Sequence, residues 1–331
     1  MTSLWLYLWA FSFGSLSSQG FYTTNLYALA QAPPAWGLLW TWDLTQAQED
    51  QALALQGNAL WARTDTLREV VFRPWVGYRS AWDNGIHSEA FATLALAQGS
   101  WAYTNHWEVG LLGDVSLRPE LRAMAEAGYR QYLTPEIPGF WQTGLGMEME
   151  VPVHFAEITL SLRGHRRVYL PVPLGQVGFG GAVVYRLEGT WETLWSPDPW
   201  SVWGLRIHML RVWGDRVPTV VEGPVLDPDL LGISHSLSVE PWGRVDLPWQ
   251  SQLRIRGGVA FRWYPWTWDS LTTGETVHRA EQEIWGECAW ERHLWGNTTL
   301  LVEGTYLRSF STDPSHRFTE ARWAVGLRHY F

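Results

Sequence analysis

The chain predicts an all-β protein, a transmembrane antiparallel up-and-down β-barrel of about 14 strands. Three observations carry this. Apolar and polar residues alternate with period 2 over long segments. The segments exceed the usual 5 or 6 residues of soluble strands and match the roughly 9–11 that a tilted strand needs to cross a bilayer. The connections between them alternate between long and short, as membrane barrels require of their two ends.

Composition narrows the function classes. Of 331 residues, 46% are hydrophobic and 17% charged, and 25 are tryptophan. Lysine is absent, so all 24 basic residues are arginine, which excludes a P-loop lysine and any Schiff-base mechanism. Codon usage in GC-rich DNA explains an arginine-only chain, and so does a wall in which guanidinium forks pair carboxylates and stack on indole. The single Cys288 excludes an intrachain disulfide and any multi-cysteine metal site. A net charge of −9 argues against nucleic acid as a partner. No apolar run is long enough for a transmembrane helix. Mean hydropathy slightly on the polar side fits a barrel, whose alternating rows cancel in the average.

Residues 1–30 are read as a signal peptide or N-terminal segment, and 31–331 as the barrel. Residues 4–13 fit the apolar core of a signal peptide, with cleavage after Ser17, Ser18 or Ala30. The first arginine is Arg63, however, so the usual basic start is missing. The competing reading is a first strand, since Trp5, Tyr7, Trp9, Phe11 and Phe13 alternate with Leu4, Leu6, Leu8 and Ala10. Strands are then expected at 36–44, 52–63, 67–80, 88–98 and 101–112.

In 117–133, Leu117, Pro119, Leu121, Ala123, Ala125, Ala127 and Tyr129 alternate with Arg118, Glu120, Arg122, Met124, Glu126, Gly128 and Arg130. Leu117, Leu121, Met124, Ala125 and Gly128 also fit one helical face. Strand is preferred because its neighbours are strands. Further strands are expected at 140–151, carrying Glu148 and Glu150 on one face, then at 154–163, 177–189, 200–213 and 232–240, with 167–174 as a possible extra. The segment 140–174 divides in several ways, so the count from residue 36 onward is about 14, with 12 to 16 allowed.

The clearest alternation is late. In 252–263, Leu253, Ile255, Gly257, Val259, Phe261 and Trp263 carry no charge, while the other row holds Arg254, Arg256 and Arg262. In 281–291, Glu281, Glu283, Glu287 and Glu291 fall on one row opposite Gln282, Ile284, Gly286, Cys288 and Trp290. These charged rows, with those of 117–133 and 140–151, are expected to line a lumen, because a lipid-facing arginine near the midplane costs roughly 2–4 kcal/mol. Strands at 297–310 and 318–331 complete the series.

Turn residues separate the segments: Gln98-Gly99-Ser100, Thr134-Pro135, Gly164-His165, Asp227-Pro228-Asp229 and Gly296-Asn297. Backward from the end, the gaps are 311–317, 293–296, 265–278, 241–250, 214–231 and 190–199, each longer one followed by a shorter. Trp82, Trp101, Trp141, Trp191, Trp195, Trp200, Trp213, Trp242, Trp249, Trp266, Trp268 and Trp295 stand at or near strand ends. That is the headgroup level, where an indole meets both oil and water.

The last strand holds Trp323, Val325, Leu327 and Phe331 on one row and Arg322, Arg328 and Tyr330 on the other. Here the sequence resembles bacterial outer-membrane β-barrel proteins, whose final strand typically ends in an aromatic residue, usually Phe, after alternating apolar residues. The signature covers about ten residues and the barrel pattern roughly 36–331; His329 departs from the apolar or aromatic residue common at that place. The resemblance implies that Phe331 is an assembly signal, that the barrel-assembly machinery and the outer-membrane bilayer are partners, and that 214–231 and 265–278 are extracellular.

No catalytic motif stands out. His87-Ser88-Glu89 and His235-Ser236 offer a base beside a hydroxyl, and Glu148/Glu150 and Glu281/Glu283 have acid–base spacing. Polar lumen or loop residues explain all of them. Asp227 and Asp229 fit a turn better than a calcium loop, the histidines lack metal-ligand spacing, and no cofactor is expected. About 8 strands fill with side chains and 16–18 leave an aqueous channel, so a 14-stranded barrel implies a narrow or partly plugged pore. The expected function is a porin-like channel for passive passage of small polar solutes in the bacterial outer membrane. The alternatives are an outer-membrane enzyme acting on lipid or lipopolysaccharide, and a non-catalytic export or adhesion barrel, for example one passing a polysaccharide.

Overall fold

In the computed structural model, the alternating stretch 252–263 lies in a strand running Ser251–Asp269, paired antiparallel with the next, Thr276–Trp295. Arg262 stands opposite Glu281, and Arg256 opposite Glu287. Residues directly opposed on an antiparallel pair share a face. One register therefore fixes the face of its neighbour, and the assignment passes from strand to strand.

The strands are β1 (Phe13–Thr23), β2 (Ala35–Gln48), β3 (Gln51–Arg63), β4 (Arg68–Trp82), β5 (Ile86–Gln98), β6 (His106–Arg118), β7 (Leu121–Tyr132) and β8 (Phe140–Val153). They continue with β9 (Ala156–Tyr169), β10 (Val183–Asp198), β11 (Ser201–Gly214), β12 (His235–Leu247), β13 (Ser251–Asp269), β14 (Thr276–Trp295), β15 (Thr298–Ser311) and β16 (Phe318–Tyr330). Each pairs antiparallel with the next, and β1 pairs with β16, so the sheet closes into a barrel. Closure leaves no strand edge unpaired, which a surrounding lipid requires because it offers no water to backbone groups. The structure describes residues 13–24, 34–48, 50–65, 68–82, 85–99, 102, 105–134, 137–153, 156–170, 182–215, 235–269 and 276–331. No helix among them is long and apolar enough to cross a membrane.

The count is sixteen, the top of the expected range rather than about 14. Part of the difference is β1, which lies inside the segment 1–30. Its inward row is Ser15, Ser17, Gln19, Phe21 and Thr23, a run too polar to announce itself as a strand until β2 and β16 pair with it on both sides. The apolar residues 4–12 lie outside the described residues. Between 140 and 170 there are two strands, because Gly164 and His165, read as a turn, sit inside β9 opposite Leu145 and Gly144. The extra strand at 167–174 is not formed as such: 167–169 finish β9, and 171–181 lie outside the described residues.

Other boundaries move for identifiable reasons. The segment 117–133 is strand, but its first residues belong to β6, and a turn at 119–120 separates them from β7. The expected gap 241–250 is mostly strand, because Pro241 stays in the ladder opposite Leu205 with its ring on the outer face. The expected gap 190–199 shrinks to 199–200 as β10 runs on through Trp191 and Trp195. The alternation of long and short connections survives. The connections of two or three residues after β2, β4, β6, β8, β10, β12 and β14 share one end with the C-terminus, and the longer ones, such as those after β5, β9 and β11, share the other.

The outer face is apolar. Leu111, Leu145, Leu162, Ile255 and Val325 are all exposed on it. Exposed tryptophans gird both ends: Trp36, Trp141, Trp213 and Trp263 toward the long loops, and Trp82, Trp195, Trp249 and Trp295 toward the short turns. Of the tryptophans expected in these belts, Trp101 and the side chains of Trp266 and Trp268 lie outside what the structure describes. Trp191 falls in the middle of β10, and Trp242 leaves the outer face. It faces inward, its ring lying where a Cβ at Gly204 would be, 2.3 Å from the nearest ring atom.

Candidate channel lumen

The inner face carries most of the charge, and most of that charge is paired. Arg254 on β13 bonds Glu291 on β14, whose carboxylate is also 3.7 Å from Arg328 on β16. Arg262 donates to Glu283 at 2.8 Å and lies 3.9 Å from Glu281. Arg256 does not use Glu287, the residue directly opposite. Its guanidinium crosses to Glu240 on β12 at 2.9 Å and lies over the Trp285 ring at 5.0 Å. The reason is local: the Trp285 ring occupies the space a side chain at Gly258 would fill. Glu287 faces inward with no ion pair among the described residues.

The second cluster lies on β6–β9. Arg130 donates to Glu108 at 2.9 and 2.5 Å. Arg122 lies 3.6 Å from both Asp114 and Glu148. Glu126 accepts from Gln142 at 2.5 Å and meets His165 Nδ1 at 2.7 Å. Arg118, Glu120 and Glu150 are exposed at the short-turn end, Glu120 within the turn itself, so they stand at a mouth rather than in the bore. Glu281 points inward but is buried: Arg279 donates to it at 2.7 Å, the Tyr264 hydroxyl at 3.0 Å, and Arg279 lies over the Tyr264 ring at 4.4 Å.

Between the clusters the inner wall opens into a cavity of about 310 Å³. It is lined by Glu148, Glu192, Glu240, Arg206, Arg256 and His208, with the hydroxyls of Thr159, Ser161 and Thr190. Lining from six consecutive strands, β8 to β13, places the concave side of the sheet on the polar face. Arg206 donates to both oxygens of Glu192 at 3.0 Å, and the Trp242 indole N–H to the same carboxylate at 3.3 Å. Toward the long loops the wall turns apolar. Tyr132, Phe140, Tyr169, Val184 and Val212 pack with Ile137, which the β7–β8 connection carries inward. Sequence reading found neither this apolar cluster nor the partners Glu108, Gln142, His165, Glu192, Arg206 and Glu240. Each lies on a polar row, but only register tells which rows meet.

The candidate catalytic pairs come apart. His87 faces inward and meets Asp114 at 3.1 Å, while Ser88 faces outward and accepts from the Trp82 indole at 3.5 Å. Ser236 is inward, opposite Arg262, and His235 outward, opposite Trp263, with its Nδ1 accepting the Val212 N–H at 3.1 Å. Adjacent strand residues point to opposite faces, so neither histidine can serve the serine beside it. Glu148 and Glu150 share a face, one in the cavity and one at the mouth. Asp227 and Asp229 lie outside the described residues. No cluster of metal-binding side chains occurs among the described residues.

No family model matches the chain, and no curated protein matches it in sequence. Solved structures do. Pseudomonas aeruginosa OccK2 (OpdF), in complex with glucuronate, superposes with a TM-score of 0.60 at 12% identity, covering 97% of each chain. Acinetobacter baumannii OccAB3 gives 0.58 at 10% identity, covering 96% of this chain and 99% of that one. A bacterial polysaccharide outer-membrane secretin gives 0.53 at 9%, covering 96% and 98%. The fold is theirs. At these identities the likeness concerns architecture, and the side chains that line this barrel are its own.

Proposed function

We propose that the protein is a bacterial outer-membrane channel for passive passage of small polar solutes. One observation carries this: a closed sixteen-strand sheet with an apolar outer face encloses a charged inner wall that opens into a polar cavity. Sixteen strands are enough to leave an aqueous bore. The glucuronate complex of the similar OccK2 supports a small polar solute. Arg206, Arg256, Glu148, Glu192 and Glu240 set the field along the path, and the apolar cluster around Ile137 crowds it from the β7–β11 side. Arg118, Glu120 and Glu150 act at the mouth, and Glu281 braces the wall through Arg279 and Tyr264.

The long-loop end faces the exterior, with 214–231 and with the β13–β14 connection. That connection is shorter than the expected 265–278 because β13 runs to Asp269 and β14 begins at Thr276. The C-terminal strand is recognised by the barrel-assembly machinery. Any leader ends before Phe13, because cleavage after Ser17, Ser18 or Ala30 would remove pairing that closes the barrel. N-terminal sequencing of the inserted protein reads this directly, and a mature chain starting after Ala30 would sink it. The channel itself is tested in planar bilayers, where purified protein should give discrete ohmic steps. A folded barrel that never conducts would end the proposal.

A further inference from the structure

Most arginines of the inner face meet a carboxylate, whereas those of the outer face do not. Six arginines with described side chains take outward positions in the regular ladder: Arg63, Arg68, Arg166, Arg211, Arg292 and Arg308. All six are exposed, and none has an ion-pair partner among the described residues. Among the described side chains the aspartates and glutamates of the ladder face inward, except Asp198, which pairs with Ser201 beyond a register shift at the short-turn end. Five of the six lie toward the long-loop end, and only Arg292 toward the short turns.

Arg63 and Arg68 are the sharpest case. They stand directly opposite each other at the end of the β3–β4 hairpin. Like charges in that position repel, and Asp65 in the turn between them makes no ion pair with either. Trp36 lies opposite Arg63 on the other side and meets Trp61 edge-on at 5.2 Å, so the pair sits among indoles suited to the headgroup level. Two guanidinium forks can share one phosphate through parallel N–H···O bonds.

We propose that Arg63 and Arg68 clamp the phosphate of an anionic lipid headgroup at the long-loop rim, with Arg166, Arg211 and Arg308 extending the same cationic girdle. The proposal rests on the membrane placement given above and not on channel activity. The occupant is a lipid because the patch is exposed on the apolar face, at the level of the aromatic belt, where the barrel's neighbour is the bilayer.

Native mass spectrometry of the full-length barrel in detergent tests it, with phosphatidic acid and phosphatidylcholine of matched chains as probes. An arginine near an anionic surface is worth about fivefold in affinity, so the wild type should retain phosphatidic acid at least about tenfold better. Arg63→Gln/Arg68→Gln should lose most of that preference, and Arg292→Gln should keep it. If the glutamine pair does not fold, Arg63→Lys/Arg68→Lys, which keeps charge but not the fork, should show a weaker preference. Equal retention of both lipids, undiminished preference in the double variant, or displacement by equimolar inorganic phosphate would overturn the clamp. A barrel that selects phosphatidic acid yet never conducts would support the clamp while removing the channel.

Discussion

Gly144 on β8 lies directly opposite His165 on β9, and its missing side chain is what lets His165 reach Glu126 on β7, two strands away, at 2.7 Å. A Cβ at position 144 would lie 2.8 Å from His165 Nδ1 and 2.7 Å from Glu126 Cγ. The bond therefore ties three strands of the wall together through a gap one methyl group wide. Gly144→Ala should break it and lower stability by about 1–3 kcal/mol, the usual cost of overpacking. Urea unfolding in lipid vesicles measures this, and an unchanged midpoint would show that the wall absorbs the methyl elsewhere.

Arg256 links two strands and covers Trp285, so its charge is set into the cavity wall. Arg256→Glu replaces a cation paired to Glu240 with a third carboxylate beside Glu240 and Glu192. At roughly 1 kcal/mol per unit charge near contact in water, the cation-to-anion permeability ratio should rise about fivefold or more while the barrel still folds. Reversal potentials under a salt gradient read the ratio. A ratio that does not move would place the conducting path away from this cavity.

Phe331 closes the seam. Its N–H donates to the Gly14 carbonyl, and the Gly14 N–H donates back to its carbonyl, both at 3.1 Å. Deleting Phe331 should lower the folded, heat-modifiable fraction in outer membranes without changing synthesis. Normal insertion of the shortened chain would remove its role as an assembly signal.

Cys288 faces outward on β14, opposite Ile255 and Gly304, in the band assigned to acyl chains. In vesicles it should resist an impermeant maleimide and react with a membrane-soluble one. In a Cys288→Ser background, cysteines at Pro224 and Thr273 should react with the impermeant reagent on intact cells. Labelling only after the outer membrane is breached would reverse the topology.

His316 lies in the β15–β16 connection, 3.8 Å from Asp313, where burial, with Arg279 nearby, holds its pKa below the usual 6.5. The folded connection thus prefers the neutral ring. Its stability is fully present above about pH 6.5 and falls as the pH drops toward the depressed value, because the opened form takes the proton first. Amide exchange at His316 and Arg317, whose N–H groups donate to Asp313 and Pro314 at 3.1 and 3.2 Å, should quicken, beyond the intrinsic trend, on acidification. His316→Gln should abolish that pH dependence.

The sequence by itself determined the class of fold, the two faces of most strands, and the rhythm of long and short connections. These are properties of one strand at a time, since period-2 alternation and turn residues are written along the chain. It could not determine closure or partners. The inward row of β1 is too plain to declare itself until β16 and β2 lie beside it, and Pro241 looked like a break until β11 held it in the ladder. Arg256 turns to Glu240 rather than Glu287 because Trp285 fills the place beside Gly258. His165 finds Glu126 only across Gly144. The apolar cluster of Tyr132, Phe140, Tyr169, Val184 and Val212 collects single residues from five strands around Ile137. Such arrangements depend on register and on side-chain volume across neighbouring strands, which bring together residues far apart in the chain. Tertiary structure alone decided them.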